Sequence, residues 1–355
     1  MSRALGLLLG FAADRVLGDP RRFHPVAGFG RAAAQLEKVT YADSKAAGTA
    51  YAAVLVGSVT AAGVAAERLT KNRPIAQTLV TAAATWAVLG GRSLEREAAV
   101  MSGLLEAKNL PAARERLSHL CSRDATDLDA DELARATVES IAENTSDATV
   151  APLVWGGLLG VPGLVGYRAA NTLDAMVGYR SARYLNFGWA SARFDDLVNL
   201  LPARVCAALT GLTSGRPRET WRIWQRDAGR HPSPNAGPVE ASFAGALDLR
   251  LGGTNTYGEE IEDRGTLGDG LRPGVTDVRR TAALARRVSY AAVAAAATTA
   301  LLTAHRRRRP FGGSTHEVDR WPTRIRWANG AFDGLTHQMR TGMGGGARRT
   351  GRGAR

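Results

Sequence analysis

ESIAENTSDATVAPLVWGGLLGVPGLVGYRAANTLDAMVGYRSARYLNFGWASARFDDLVNLLPAR, from Glu139 to Arg204, alternates apolar runs with tight groups of carboxylates, amides and arginines. The runs are long enough to enter a membrane. A charge held in hydrocarbon costs several kcal/mol unless it has a partner or water. So many charges kept beside apolar segments point to a use for them.

The spacing gives that use a chemistry. Glu139, Glu143 and Asp147 recur every four residues and share one helical face. Like charges at that spacing repel unless a cation lies between them. Asn171 and Asp174 are three apart, Asp195 and Asn199 four apart, and Asp196 sits alongside. Carboxylates and amide oxygens are hard ligands suited to Mg²⁺, which commonly takes one or two carboxylates plus substrate phosphates. Arg168, Arg180, Arg183, Arg193 and Arg204 are interleaved with them. Their guanidinium forks match phosphate and carboxylate oxygens. Solvated helix faces and surface ion pairs explain any one of these groups, but explain three clusters within 66 residues less well.

Outward from this stretch, residues 46–66 carry no charge over 21 positions and residues 74–91 none over 18, with a short basic joint at 67–73. That pattern predicts an antiparallel transmembrane hairpin. Residues 4–18 form a shorter apolar helix, followed by the turn Asp19-Pro20 and by His24-Pro25. Residues 92–141 are charged and helix-prone: Leu94, Ala98, Met101, Leu104 and Leu105 keep helical spacing, Asn109-Leu110-Pro111 breaks the run, and Asp129 is placed to cap a helix over 131–141. Residues 148–167 are uncharged but interrupted by Gly156, Gly157, Gly160, Pro162 and Gly163. A re-entrant pair of half-helices is the expected form, because it returns Asn171 and Asp174 to the side of Glu143 and Asp147. A straight crossing separates them by about 30 Å. Residues 197–215 are apolar apart from Arg204, and whether they cross fully decides on which side His231 lies. Residues 216–287 are polar and turn-rich, and 288–304 form a last uncharged run before Arg306–Arg309, which the positive-inside tendency places in the cytoplasm. The fold class expected is all-α: a polytopic integral membrane protein with about four to five membrane-embedded helical segments and a cytoplasmic helical and loop portion.

The net charge of +13 invites a nucleic-acid reading, but its distribution argues against one. Residues 305–355 hold 12 Arg, no Lys and 3 acidic residues, so residues 1–304 carry a net of only +4. The tail is expected to be disordered and dispensable. Cys121 and Cys206 are too few for a disulfide framework or a cysteine-based zinc site. No P-loop or H-E-x-x-H motif occurs, and Gly28-Phe-Gly30 lacks the strand a dinucleotide fingerprint needs.

Three blocks within the opening stretch carry a family resemblance: AENTSDATVAPLVW (142–155), YRAANTLDAMVGYR (167–180) and FGWASARFDDLVNLLPAR (187–204). GDPRRFHPV (18–26) and HPSPNAGPVEASFAGALDLRLGG (231–253) extend it, in order, across roughly residues 1–304. The chain resembles the CobD/CbiB family, the adenosylcobinamide-phosphate synthases of cobalamin biosynthesis, which are integral membrane proteins. The resemblance implies a carbon–nitrogen ligase of the cell membrane, multi-pass, with its active site toward the cytoplasm. Such an enzyme joins a carboxylate of adenosylcobyric acid to aminopropanol phosphate and consumes ATP with Mg²⁺. It implies no tightly bound prosthetic group, and as partners the corrinoid, the amino alcohol phosphate, the lipid bilayer and other corrinoid-pathway enzymes.

On that reading Glu143, Asp147, Asp174 and Asp195 are the metal ligands, with Asp196 adding charge. Arg180, Arg193 and Arg204 hold anions. Asn144, Asn171, Tyr179, Trp189, Asn199, His231 and Asn235 contact substrate. His24, His231 or a carboxylate deprotonates the ammonium. A transporter with interrupted helices, or a non-catalytic corrinoid-binding scaffold, are the alternatives.

Overall fold

The computed structural model describes residues 1–20, 24–121, 124–257 and 260–308. The expected tail, apart from the first four of its residues, lies outside the described residues.

Helices dominate. In chain order they are α1 (Ser2–Leu17), α2 (Pro25–Thr40), α3 (Lys45–Thr70), α4 (Pro74–Val88), α5 (Gly91–Glu106), α6 (Leu110–Leu117), α7 (Ala130–Thr145), α8 (Ala151–Leu159), α9 (Val161–Val177), α10 (Trp189–Thr213), α11 (Pro217–Asp227), α12 (Ala236–Leu247) and α13 (Val275–Arg308). A π-helical turn, Ser146–Val150, joins α7 to α8. The structure is consistent with the all-α expectation, with one small sheet added. Strands β1 (Leu251–Tyr257) and β2 (Glu260–Leu267) form an antiparallel hairpin inside the segment read as turn-rich loop. Its glycines hid it: Gly252 and Gly253 have φ of 81° and 90° and carry the bulge at which the pairing register shifts.

Local chemistry explains where helices start and stop. Asp129 and Glu132 form a reciprocal capping box at the start of α7. Asn109 Oδ1 accepts from the Ala112 N–H and starts α6, where Asn109-Leu110-Pro111 breaks the preceding helix. Gly160, with φ 77°, turns the chain between α8 and α9, a conformation only glycine adopts readily. Glu67 Oε1 accepts from the freed Val161 N–H at 3.0 Å, so the end of α3 caps α9. Inside α10, Pro202 has no N–H to give the Val198 carbonyl. The Trp155 indole N–H donates to that carbonyl instead, at 3.0 Å.

These contacts order the apolar helices end to end. At one end lie Arg3, whose Nη1 donates to Leu158 O, together with Glu67 and Val161. At the other lie Asp14, whose Oδ2 accepts from the Arg92 N–H, and Gly91, set against Thr149. The half-helix reading of 148–167 is borne out as a helix–turn–helix, and α9 brings Asn171 within 3.5 Å of Asp147. The segment 197–215 lies in the continuous helix α10 up to Thr213, and the Asn235 amide donates to the Asp196 carbonyl at 2.8 Å. The His231 loop therefore lies at the same end as the carboxylates.

Two helices, Lys45–Thr70 and Val275–His305, are long and apolar enough to cross a membrane. By that measure the described residues hold fewer spans than the four to five expected. The segment 74–91 gives a helix of 15 residues, about 22 Å long against roughly 30 Å of hydrocarbon. The closing uncharged run 288–304 belongs to the longer helix α13. The Tyr290 ring packs edge-on against Phe11, near the carboxylate end, and Arg306 lies about 24 Å further along α13. If α13 crosses a bilayer, Arg306–Arg308 and the carboxylates face opposite sides. In sealed vesicles, single cysteines replacing the exposed Lys71 and Ala175 are then expected to label from opposite faces. Labelling of both from one face contradicts the crossing.

Candidate active site

Three of the blocks singled out in the sequence converge on one cleft. The end of α7 and the π turn bring Glu143, Ser146 and Asp147. The last turns of α9 bring Asp174, and the first turns of α10 bring Asp195, Asp196 and Asn199. Ser233 and Asn235, just before α12, close one wall, and the inner cavity is about 120 Å³. A second cavity of about 430 Å³ opens beside it and shares Glu143, Asp147 and Asp174, with Asn144, Asn171 and Tyr179 on its walls. A π turn inserts one residue into a helix and is frequent at functional sites. Here it sets Asp147 between α9 and α10.

Amides separate the carboxylates. The Asn171 amide stands 3.5 Å from both Asp147 Oδ2 and Asp195 Oδ1. Asn199 donates to Asp195 Oδ2 at 2.9 Å and accepts from the Tyr167 hydroxyl at 2.9 Å. The carboxyls remain crowded. Burial pushes Asp147 well above the carboxylate range, and Asp195 and Glu143 push it further, against relief from Arg168. Burial, then Asp196 and Glu143, push Asp174 up to about 6. Burial and Asp174 push Asp195 up to about 7, against relief from Asn199 and Asn171. Among the described residues, no ion pair reaches Asp147, Asp174 or Asp195. Arg168 is the cation that acts on Asp147, and Arg264 lines the larger cavity.

The donor set fits a hard divalent cation: carboxylates, amide oxygens and the buried Ser146 hydroxyl, which has no hydrogen-bond partner. The fit is partial. Among the described residues, no group of three or more His, Cys, Asp or Glu is set closely enough to hold a metal ion. A cation here needs further oxygens, such as those of a phosphate, to complete its shell.

The other residues expected at a site take varied places. Arg204 is exposed and bonds Leu200 O, Pro234 O and Asn235 Oδ1, bracing the wall of the cleft. Arg193 is exposed and pairs with Asp196 at 3.8 Å. Arg180 is exposed, as are Tyr179 and Trp189, whose ring lies 5.3 Å from Lys45 Nζ. Asn144 donates to the Ser140 carbonyl within its own helix.

His24 is not brought to the cleft. Its Nδ1 accepts from the Val26 N–H as the cap of α2, and its Nε2 lies 3.8 Å from Asp19. His231 is buried, its Nδ1 accepting from the Ser233 N–H and its Nε2 3.5 Å from Glu240. It shapes the loop that carries Ser233 and Asn235. Glu139 keeps the shared face expected of it, lining the larger cavity with Glu143 and Asp147. Buried, it accepts from the Gly252 N–H at 2.8 Å and ties the hairpin to α7.

Sequence reasoning passed over Tyr167, Ser146 and Ser233. It named Arg168 without a role, and this is the cation facing Asp147. Tyr167 and Arg168 precede Asn171 by four and three residues, so helical spacing was a signal for both.

The family model described as CobD/Cbib protein matches residues 7–285. The Cobalamin biosynthesis protein CobD of Mycobacterium tuberculosis (strain H37Rv) is 53% identical over 296 residues, covering 82% of this chain and 94% of that protein. The proteins of the same name from Chromobacterium violaceum and Rhodobacter capsulatus are 44% and 38% identical, each over 81% of this chain and 93% and 94% of their own lengths. No solved structure matches the chain. A family match spanning most of the chain, with a relative 53% identical over 82% of it, makes this protein a member of the CobD/Cbib family of cobalamin biosynthesis proteins.

Proposed function

We propose that this protein is an ATP-dependent amide ligase of cobalamin biosynthesis, joining a carboxylate of adenosylcobyric acid to aminopropanol phosphate to give adenosylcobinamide phosphate. The observation that carries the proposal is the meeting of Glu143, Asp147, Asp174 and Asp195 from three separate helical segments in one cleft.

Carboxylate and ammonium do not condense readily in water. The γ-phosphoryl group of ATP passes to the corrinoid carboxylate, with ADP leaving. The free amine then attacks the acyl carbon, and phosphate departs with one carboxylate oxygen. Such chemistry asks a protein for positioning and charge stabilisation. Mg²⁺ held with the nucleotide would neutralise phosphate oxygens. Asp147, Asp195, Glu143 and Asp174 would hold it, and Asn171 and Asn199 fix the carboxylate orientations. Arg193 and Arg180 lie on exposed ground where an incoming phosphate can be met. Arg204 acts through Asn235 on the wall. Exposed Tyr179 and Trp189 offer aromatic faces to a large corrinoid ring. His24 and His231 are engaged elsewhere, so a carboxylate of the cluster takes the ammonium proton.

The reaction draws on cytoplasmic ATP, so the carboxylate end faces the cytoplasm and the protein sits in the cell membrane through α3 and α13. This orientation sets aside the placement first drawn from Arg306–Arg309. Basic residues flank both ends of the apolar helices, among them Arg68, Lys71 and Arg73 at one and Arg92, Arg96 and Arg286 at the other, so the charge rule does not discriminate.

In membranes supplied with adenosylcobyric acid, aminopropanol phosphate and Mg-ATP, the amide product is expected by mass. Asp174→Asn and Asp195→Asn should each abolish it while the protein still inserts. Full activity in both variants overturns the site. A product absent from the wild type, with flux or tight corrinoid binding in its place, overturns the ligase.

The raised carboxyls also set a pH dependence. The folded chain holds protons on Asp174 and Asp195 that the unfolded chain releases near its ordinary 3.8. That stability is full below this value and lost as pH rises through about 6 to 7. The ligand-free melting temperature should therefore fall between about pH 4 and pH 7, and fall less in Asp195→Asn. An identical fall in the variant contradicts the assignment.

A further inference from the structure

The groove between α5 and α13 lies apart from the acidic cleft and has a volume of about 480 Å³. Arg92 and Arg96 line it from α5, Arg279 and Arg286 from α13, and its apolar floor includes Ala99 and Ala283. The arginines are unevenly matched. Glu95 is the one carboxylate in the lining, and it is held by Arg15 at 2.5 Å, with Arg92 at 3.9 Å. Arg279 is engaged by Glu106 at 2.7 Å and by the Ser102 hydroxyl. Among the described residues, Arg96 and Arg286 have no carboxylate within 4.0 Å. Arg92 Nε is buried with no hydrogen-bond partner. Guanidinium groups gathered in this way repel one another, and an anion with several oxygens relieves the repulsion.

The position of the groove narrows the anion. Arg92 directly follows the uncharged run 74–91, and Arg286 and Arg287 directly precede the uncharged run 288–304. One turn beyond Arg286 stands the exposed Tyr290, at the start of the apolar part of α13. Arginine at the margin of an apolar run with tyrosine just inside it marks headgroup depth. Basic pockets between membrane helices at that depth suit anionic headgroups, and the alanine floor suits an acyl chain.

We propose that this groove binds the phosphodiester headgroup of an anionic phospholipid. The proposal rests on the reading of α13 as a membrane span. Arg96 and Arg286 grip the phosphate, Arg92 closes the edge nearest the apolar layer, and Glu95 and Arg279 orient the walls without meeting the headgroup charge.

The test uses the full chain in nanodiscs of phosphatidylcholine with and without phosphatidylglycerol, followed by mass spectrometry of retained lipid. The wild type should retain phosphatidylglycerol over phosphatidylcholine by on the order of tenfold. Arg96→Gln/Arg286→Gln should bring the ratio near one, and Arg96→Lys/Arg286→Lys should keep most of it. Equal retention by the wild type and the Gln variant overturns the proposal. If inorganic phosphate alone stabilises the wild type and phosphatidylglycerol adds nothing, the site takes soluble phosphate and the lipid assignment falls. Release of the wild type by alkaline carbonate removes the membrane reading itself, an outcome separate from loss of lipid preference in a protein that stays inserted.

Discussion

Carboxylates do not gather in a buried cleft by themselves. Asp147, Asp174 and Asp195 are desolvated together, and neighbouring carboxylates raise the pKa of each further. The rest of the architecture is the means by which that unfavourable arrangement is held. Asn171 stands between Asp147 and Asp195, Asn199 fixes Asp195, and Tyr167 fixes Asn199. Removing one member of such a network strands its partners without hydrogen bonds at low dielectric.

Two backbone exceptions make the convergence possible. The turn at Gly160 folds α9 back along α8, and Glu67 satisfies the N–H that the turn exposes. Pro202 interrupts the hydrogen bonding of α10, and Trp155 satisfies the carbonyl left over. Each exception is answered by a side chain from a distant part of the chain. The answers therefore lock α3, α8, α9 and α10 together, and those elements carry or support the cleft.

Much of this was legible in the sequence. The glycines and prolines of 156–163 signalled a broken helix, and a broken helix requires Asn171 and Asp174 to return toward Asp147. Carboxylate and amide pairs at helical spacing marked the α9 and α10 faces. What stayed hidden depends on tertiary packing. Nothing local tells that Glu139, which lines the cavity with Glu143 and Asp147, also ties down the hairpin at Gly252. Nothing local tells that His24 and His231 are used to shape backbone. The hairpin was missed because glycines with positive φ read as loop. The extent of α13 was missed because the charged residues 277–287 mask a helix that continues through them. The side of the membrane on which each end lies depends on parity, and parity depends on which apolar helices are long enough to cross.

The central claim is that the clustered carboxylates hold a nucleotide through a divalent cation. Equilibrium binding of ATP to the purified, lipid-reconstituted protein, with and without Mg²⁺, tests it most directly. Binding that requires Mg²⁺ in the wild type and is lost in Asp147→Asn/Asp195→Asn is the predicted result. Nucleotide binding that is indifferent to Mg²⁺, or unchanged in the double variant, contradicts it.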